Sequence, residues 1–123
     1  MSRARRGAVA FAAGQAAEEA VARAYEERGL AVAHRRWRGP GGEVDLVVRN
    51  GEAVVFVEVK RAATLDAAAH RLRPAQVARL VASAEAFLGG EPRGSLTPMR
   101  FDLALVDALG RVSIVENAFG ADW

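Results

Sequence analysis

Cysteine is absent from this 123-residue chain. That absence excludes a disulfide scaffold and every cysteine-based zinc site. Long apolar runs are also missing. Charged residues interrupt each hydrophobic stretch, so no segment is expected to span a bilayer. The basic start, Met1-Ser2-Arg3-Ala4-Arg5-Arg6, has the sign of a signal peptide. The alanine-rich stretch behind it carries Gln15, Glu18 and Glu19 and lacks a strongly hydrophobic core, which argues against that reading. A cytoplasmic protein is the expectation. Lysine is nearly absent too: of 17 basic residues, 16 are arginine and the one lysine is Lys60.

What is present is globular. The chain is 51% hydrophobic and 26% charged, a profile that fits one domain over residues 1–123. Net charge is only +2, but it is unevenly spread. Residues 1–39 hold eight Arg against four Glu, and residues 60–79 hold Lys60 and four Arg against Asp66 alone. Two basic zones on a near-neutral chain point either to a nucleic-acid surface or to ordinary solvated arginine.

Hydrophobic spacing predicts a helix over 9–28, with Phe11, Glu18, Val21 and Tyr25 on one face and Gly29 as its stop. Strands follow at 30–38, 43–49 and 52–60, the last two joined at Asn50-Gly51, a strong hairpin signal. Residues 61–72 give no clear element. Pro74 opens a second amphipathic helix that Gly89-Gly90 ends. A second hairpin, 99–107 with 111–116, closes the chain. The expected architecture is α/β, one mixed sheet flanked by helices.

The first hairpin carries the chemistry. A two-residue Asn50-Gly51 loop pairs Val47 with Val54, Asp45 with Phe56 and Glu43 with Glu58. Alternation then puts Glu43, Asp45, Glu58 and Lys60 on one face, and Val44, Leu46, Val48, Val55, Val57 and Val59 on the other. Val47, Val54 and Phe56 make the acidic face apolar near the turn, so both faces are expected to be covered. Acids clustered in such a place repel one another and are costly to desolvate unless paired. A divalent cation resolves both problems. Asp45 and Glu58, diagonal neighbours in this register, converge on one hard cation, Mg²⁺ with Mn²⁺ as substitute. Lys60 is placed to stabilise charge on a phosphate or to position an attacking water. An ammonium is a compact charge whose pKa can move, unlike a guanidinium, which gives a reason for the solitary lysine. The competing reading is a surface hairpin with cross-strand Glu–Lys pairs.

Asp45…Glu58-Val59-Lys60 resembles the PD-(D/E)xK nuclease signature. The wider pattern resembles the YraN family of small bacterial proteins with a restriction-endonuclease-like fold. Its pieces here are Gly14-Gln15-Ala16-Ala17-Glu18, Gly42-Glu43-Val44-Asp45-Leu46, Val55-Phe56-Val57-Glu58-Val59-Lys60-Arg61, Arg100-Phe101-Asp102 and Asn117-Ala118-Phe119. The resemblance implies an αβββαβ core, here with a final strand. It implies metal ligation by Asp45, Glu58 and the Val59 carbonyl, with Lys60 as base or charge stabiliser. Glu18 matches an acid that such nucleases add to the site. The family pattern has a lysine in the second helix where Gln76 stands, and a glycine-containing, substrate-contacting segment where this chain has residues 62–69.

Other residues divide between site and surface. Glu18 lies on the core-facing stripe, whereas Glu19 precedes Arg23 by four residues as in an exposed pair. Glu43 stands open between a third ligand, a supporting group and an edge charge. Gln76 either contacts phosphate or water or is a helix-surface residue. Arg35, Arg36 and Arg38 end the first strand beside Trp37, as phosphate contacts with a stacking surface or as a solvated strand end. Arg61, Arg71 and Arg73 are similar candidates. Arg100 and Asp102 share a strand face as a structural ion pair, and Phe101, Phe119 and Trp123 are packing residues. His34 and His70 have no neighbour at ligand spacing.

The first expectation is a metal-dependent nuclease acting on DNA, or RNA in second place. The alternative is a non-catalytic nucleic-acid-binding module within a DNA-processing assembly. A structural domain is a third reading, and a homodimer or protein partner is compatible with each.

Overall fold

A computed structural model describes residues 2–120; Trp123 lies outside them. Helix α1 runs Arg3–Glu27 and starts six residues earlier than predicted. Ser2 explains the early start: its Oγ accepts the Arg5 N–H at 3.1 Å, a side-chain cap invisible to hydrophobic periodicity. Gly29, at φ +81°, ends the helix as expected. Ala17, Val21, Ala22 and Tyr25 are its buried residues. Phe11 is not among them. It is 59% exposed, because the helix outruns the sheet beneath it over its first turns.

Strands β1 (Ala31–Gly39), β2 (Gly42–Asn50) and β3 (Ala53–Arg61) follow. A short helix α2 (Leu65–Ala69) fills the stretch that gave no sequence signal, and Thr64 Oγ1 caps it through Ala67 N–H at 3.1 Å. Helix α3 (Pro74–Leu88) opens on its proline as predicted. A 3₁₀ turn (Gly94–Leu96) leads to β4 (Met99–Val106) and β5 (Val112–Phe119). The sheet order is β1-β2-β3-β4-β5, with β3 and β4 parallel and the other pairs antiparallel. A parallel pair needs a crossover, which α2 and α3 supply. The result is a mixed α/β sheet flanked by helices, consistent with a restriction-endonuclease-like core.

Each sheet face has its own core. On one, α1 packs on Leu46, Val48, Val55, Val57, Ala104 and Val106. On the other, α2 and α3 pack on Val47, Val54, Phe56, Phe101, Leu103 and Leu105. Phe101 stacks on Phe119 at 5.0 Å, so both are the packing residues expected. Trp37 is also a packing residue, edge-on to Phe87 at 5.2 Å, and its ring is not a free stacking surface.

The central hairpin differs from its predicted register by two residues. Arg49 pairs with Val54 and Val47 with Phe56, so the turn is Gly51-Glu52. Gly51, at φ +62°, takes the first central position, where a type II′ turn places its glycine. A slip of two preserves parity, so the predicted faces survive from Leu46 to Val59. Val44 is the exception: it packs on the α3 side, opposite Leu46. The cause is a turnover of both neighbouring strands. β1 pairs Arg35 with Leu46 and Trp37 with Val44, and between them Arg36 adopts φ +51°. Arg35 and Arg36 both reach α1, while Trp37 joins the α3 core. Asp45 sits across from this irregularity.

Two polar staples fix the helices. Ser83 of α3 accepts the Gly41 N–H at 3.1 Å and donates to the Gly42 carbonyl at 2.9 Å, clamping the β1–β2 loop. A Cβ on Gly41 would overlap the Arg79 carbonyl. On the other side, the Tyr25 hydroxyl donates to Asp102 Oδ2 at 2.7 Å. Asp102 is fully buried and also takes the Arg100 guanidinium at 2.9 Å and the Asn117 N–H at 2.9 Å, so the predicted Arg100–Asp102 ion pair is part of a larger junction. Burial and the Asp102 carboxylate hold the Tyr25 phenol far above its ordinary pKa, so it stays a neutral donor.

Gly41→Ala is expected to destabilise the protein by about 1–3 kcal/mol through overpacking against α3. Tyr25→Phe is expected to cost about 1–3 kcal/mol, because Asp102 loses a buried partner. Urea unfolding monitored by circular dichroism checks both; wild-type midpoints would contradict the two staples.

Candidate active site at the opening of the central hairpin

The β2–β3 ladder ends at Leu46–Val57. One position further the strands part, and side chains take over from backbone pairing. Asp45 Oδ2 accepts the Val59 N–H at 2.8 Å. The register brings Asp45 abreast of Glu58, where the predicted register made them diagonal. Glu58 is 5% exposed, and Gln76 Nε2 of α3 donates to its Oε2 at 3.1 Å. Gln76 is thus a contact of the acidic site and not a bare surface residue. Arg79, one helical turn further, lines the same cleft of about 340 Å³ with Glu43, Glu58 and Gln76. The sequence reading missed Arg79, although its i,i+3 spacing from Gln76 was a usable signal.

Burial, and then the neighbouring Asp45 carboxylate, push the Glu58 carboxyl up to about 9; Lys60 acts in the opposite direction. Without a cation the pair therefore holds a proton at neutral pH. Lys60 is half-buried two residues past Glu58. It lines a larger groove, about 730 Å³, that runs along α1 and contains neither Asp45 nor Glu58. The two spaces lie on either side of the β3 end, and Lys60 belongs to the one, Glu58 to the other.

Glu18 approaches from α1. It is raised above the ordinary carboxylate range by burial, counteracted by its bond to Arg36, and raised further by the charge of Asp45. Asp45 therefore acts electrostatically on both Glu18 and Glu58. Arg36 holds Glu18 at 3.0 Å and lies over the Phe11 ring at 5.5 Å. Arg35 pairs with Glu19 at 2.6 Å, displacing the expected Glu19–Arg23 pair. Arg38 reaches Glu43 at 3.4 Å, with Glu43 half-exposed at the strand edge. All three arginines of the first strand are thus matched with acids. Arg73 is exposed at the start of α3, and Arg61 donates to the Ala10 carbonyl at 3.1 Å. His70 Nδ1 lies 2.8 Å from the Asp66 carbonyl and His34 packs on Phe87 at 5.5 Å.

Among the described residues, no group of three or more His, Cys, Asp or Glu side chains is assembled for a metal. The donor chemistry of the Asp45–Glu58 pair nevertheless fits a hard divalent cation: two carboxylates, one buried, whose mutual repulsion is costly until an opposite charge arrives. Glu18 and Glu43, by contrast, already have arginine partners.

The pH dependence of the metal-free protein reports this pair. The Glu58 carboxyl has a folded pKa above its unfolded value, so its neutral form favours folding. That contribution is complete below about pH 4.5 and is lost as pH rises towards about 9. In chelator, wild-type Tm is expected to fall across this window more steeply than that of Glu58→Gln, which cannot ionise. Parallel curves would show that Glu58 titrates normally.

Comparison with known proteins bears on the whole arrangement. The model of the uncharacterised protein family UPF0102 matches residues 17–106. A UPF0102 protein of Cereibacter sphaeroides is 58% identical over 115 residues, covering 94% of this chain and 98% of the relative. One from Ruegeria pomeroyi is 56% identical, covering 94% of each chain. One from Dinoroseobacter shibae is 47% identical, covering 91% of this chain and 84% of the relative. The matched span runs from the buried part of α1 to the end of β4 and takes in Glu18, Asp45, Glu58, Lys60 and Gln76, so the chain belongs to the UPF0102 family.

Proposed function

We propose that the protein is a metal-dependent nuclease that hydrolyses phosphodiester bonds in nucleic acid, DNA ahead of RNA. One observation carries the reading: Asp45 and the buried Glu58 stand abreast where the β2–β3 ladder opens, and the only lysine of the chain follows two residues later. Asp45, Glu58 and the Val59 carbonyl would hold Mg²⁺, or Mn²⁺ in its place. When bound, the cation supplies Lewis-acid polarisation of the phosphate and an acidified water.

The protein's own groups do the positioning. The Val59 N–H donates to Oδ2 of Asp45. Gln76 holds Glu58 likewise, donating to its Oε2. These bonds fix both carboxylates on rigid strands, as a site of exact geometry requires. Lys60 stabilises the charge that develops on the phosphate, or takes the proton of the attacking water. Glu18 stands behind Asp45, turned to Arg36.

A second reading, a nucleic-acid-binding module without chemistry, is favoured by the engagement of Glu18 and Glu43 with arginines, which leaves two acids for a metal. The test measures Mg²⁺ and Mn²⁺ binding by calorimetry and cleavage of single-stranded, duplex, flap and junction substrates. Lys60→Ala is expected to lose about 10²–10³-fold in cleavage rate while still binding metal, and Asp45→Asn to lose both. Unchanged cleavage in Lys60→Ala removes the role given to that residue. Nucleic-acid binding by wild type with no cleavage under any metal selects the second reading.

No helix among the described residues is long and apolar enough to cross a membrane.

A further inference from the structure

The arginines of this chain fall into two populations. Arg28, Arg35, Arg36, Arg38, Arg49, Arg93, Arg100 and Arg111 each make an ion pair with a carboxylate. Among the described residues, several make none, including Arg73 and Arg79 and, together in one place, Lys60, Arg61 and Arg71. The last three cations line the same groove of about 730 Å³, between α1 and the ends of β3 and β4. They come from separate places: Lys60 and Arg61 from the end of β3, Arg71 from the segment between α2 and α3. The bond from Arg61 to the Ala10 carbonyl holds it at the groove rim and leaves its charge uncompensated.

One acid, Asp107, also lines the groove. Its Oδ2 takes the Arg111 guanidinium at 2.6 Å and its Oδ1 the N–H groups of Leu109 at 3.0 Å and Arg111 at 2.9 Å. It is thus neutralised by its own turn. On the α1 side the wall is Ala13, Ala16, Ala17 and Ala20, with no charged group. A space with net positive walls, three cations from separate places around it and Lys60 beside the acidic pair, suits a polyanion whose charges repeat along a chain.

We propose that this groove holds the sugar-phosphate backbone of one nucleic-acid strand flanking the phosphate at the acidic pair, with Arg61 and Arg71 as its phosphate contacts. The proposal rests on the nuclease reading and deepens it by naming the substrate form. Its volume lies in the range of small-ligand pockets, about 300–1,000 Å³, and suits a short single-stranded stretch. It also moves the phosphate contacts away from Arg35, Arg36 and Arg38, whose charges are spent on Glu19, Glu18 and Glu43.

The test is fluorescence anisotropy of a labelled single-stranded oligonucleotide, and of the same sequence as a duplex, in chelator so that nothing is cleaved. Wild type is expected to bind the single strand at least tenfold more tightly than the duplex. Arg61→Glu with Arg71→Glu is expected to weaken single-strand binding at least tenfold. The milder Arg61→Gln with Arg71→Gln should flatten the plot of log K against log salt by about 1.4, roughly 0.7 for each lost phosphate contact. Arg93→Glu, paired with Glu52 at the hairpin turn and so at the opposite end of β3 from the groove, should stay within twofold. Thermal unfolding of each variant confirms that it is folded; both substituted arginines are exposed. Wild-type affinity in the folded double variants overturns the groove assignment and leaves the nuclease reading intact. Equal wild-type affinity for duplex overturns the single-strand form. No binding of either by wild type overturns this proposal and the nucleic-acid reading together, whereas binding without metal-dependent cleavage touches only the nuclease reading.

Discussion

Between Arg35 and Trp37 on β1, and between Val44 and Leu46 on β2, both strands turn over, and the candidate site depends on that turnover. A regular β2 would continue its alternation and carry Val44 into the α1 core with Leu46. Instead Val44 packs with Trp37 beneath α3, and Arg36 takes a left-handed backbone conformation uncommon for a residue with a side chain. The β2–β3 ladder stops at the same level. A carboxylate then does what a backbone carbonyl would do in a continuous ladder: Asp45 takes the Val59 N–H. The same bond that satisfies the parted strand fixes the Asp45 side chain beside Glu58.

Electrostatics around this opening follow from what reaches it. Glu58 comes from the central strand and is covered by α3, so burial is the largest influence on it and its neighbour Asp45 the next. Glu18 comes from a helix that is still emerging from cover at that point, and an arginine can reach it. The two acids that feel the charge of Asp45 thus differ in setting, because one lies under a helix and the other at a helix edge. Gln76, with no charge of its own, can donate to Glu58 without fixing its protonation, which the lysine of the family pattern would do.

The arginines show why charge counts alone say little about a surface. The first 39 residues carry the larger excess of basic residues, yet their strand-end arginines each meet an acid that is distant or reversed in sequence: Glu19 and Glu18 on a helix, Glu43 across a turn. The second basic zone has a single acid, Asp66, and three of its five cations, Lys60, Arg61 and Arg71, line one groove without an ion pair. A cationic surface is a matter of which carboxylates fold back onto the arginines, and that matching is set by long-range packing.

The sequence by itself determined the alternating faces of the central hairpin, the helices opened by Pro74 and stopped by Gly29, the mixed α/β class, and the nearness of Asp45 and Glu58. These rest on period and parity, which survive a register slip of two residues. Ser2 and Thr64 could have been read as caps, since their signal is local. Only the tertiary structure decided the turnover at Asp45, the exposure of Phe11, the binding of Arg36 to Glu18 and the burial of Glu58 under Gln76. Each depends on where a helix from elsewhere in the chain ends relative to a strand. No local pattern encodes that distance, because it is fixed by the packing of two separate cores on the two faces of one sheet.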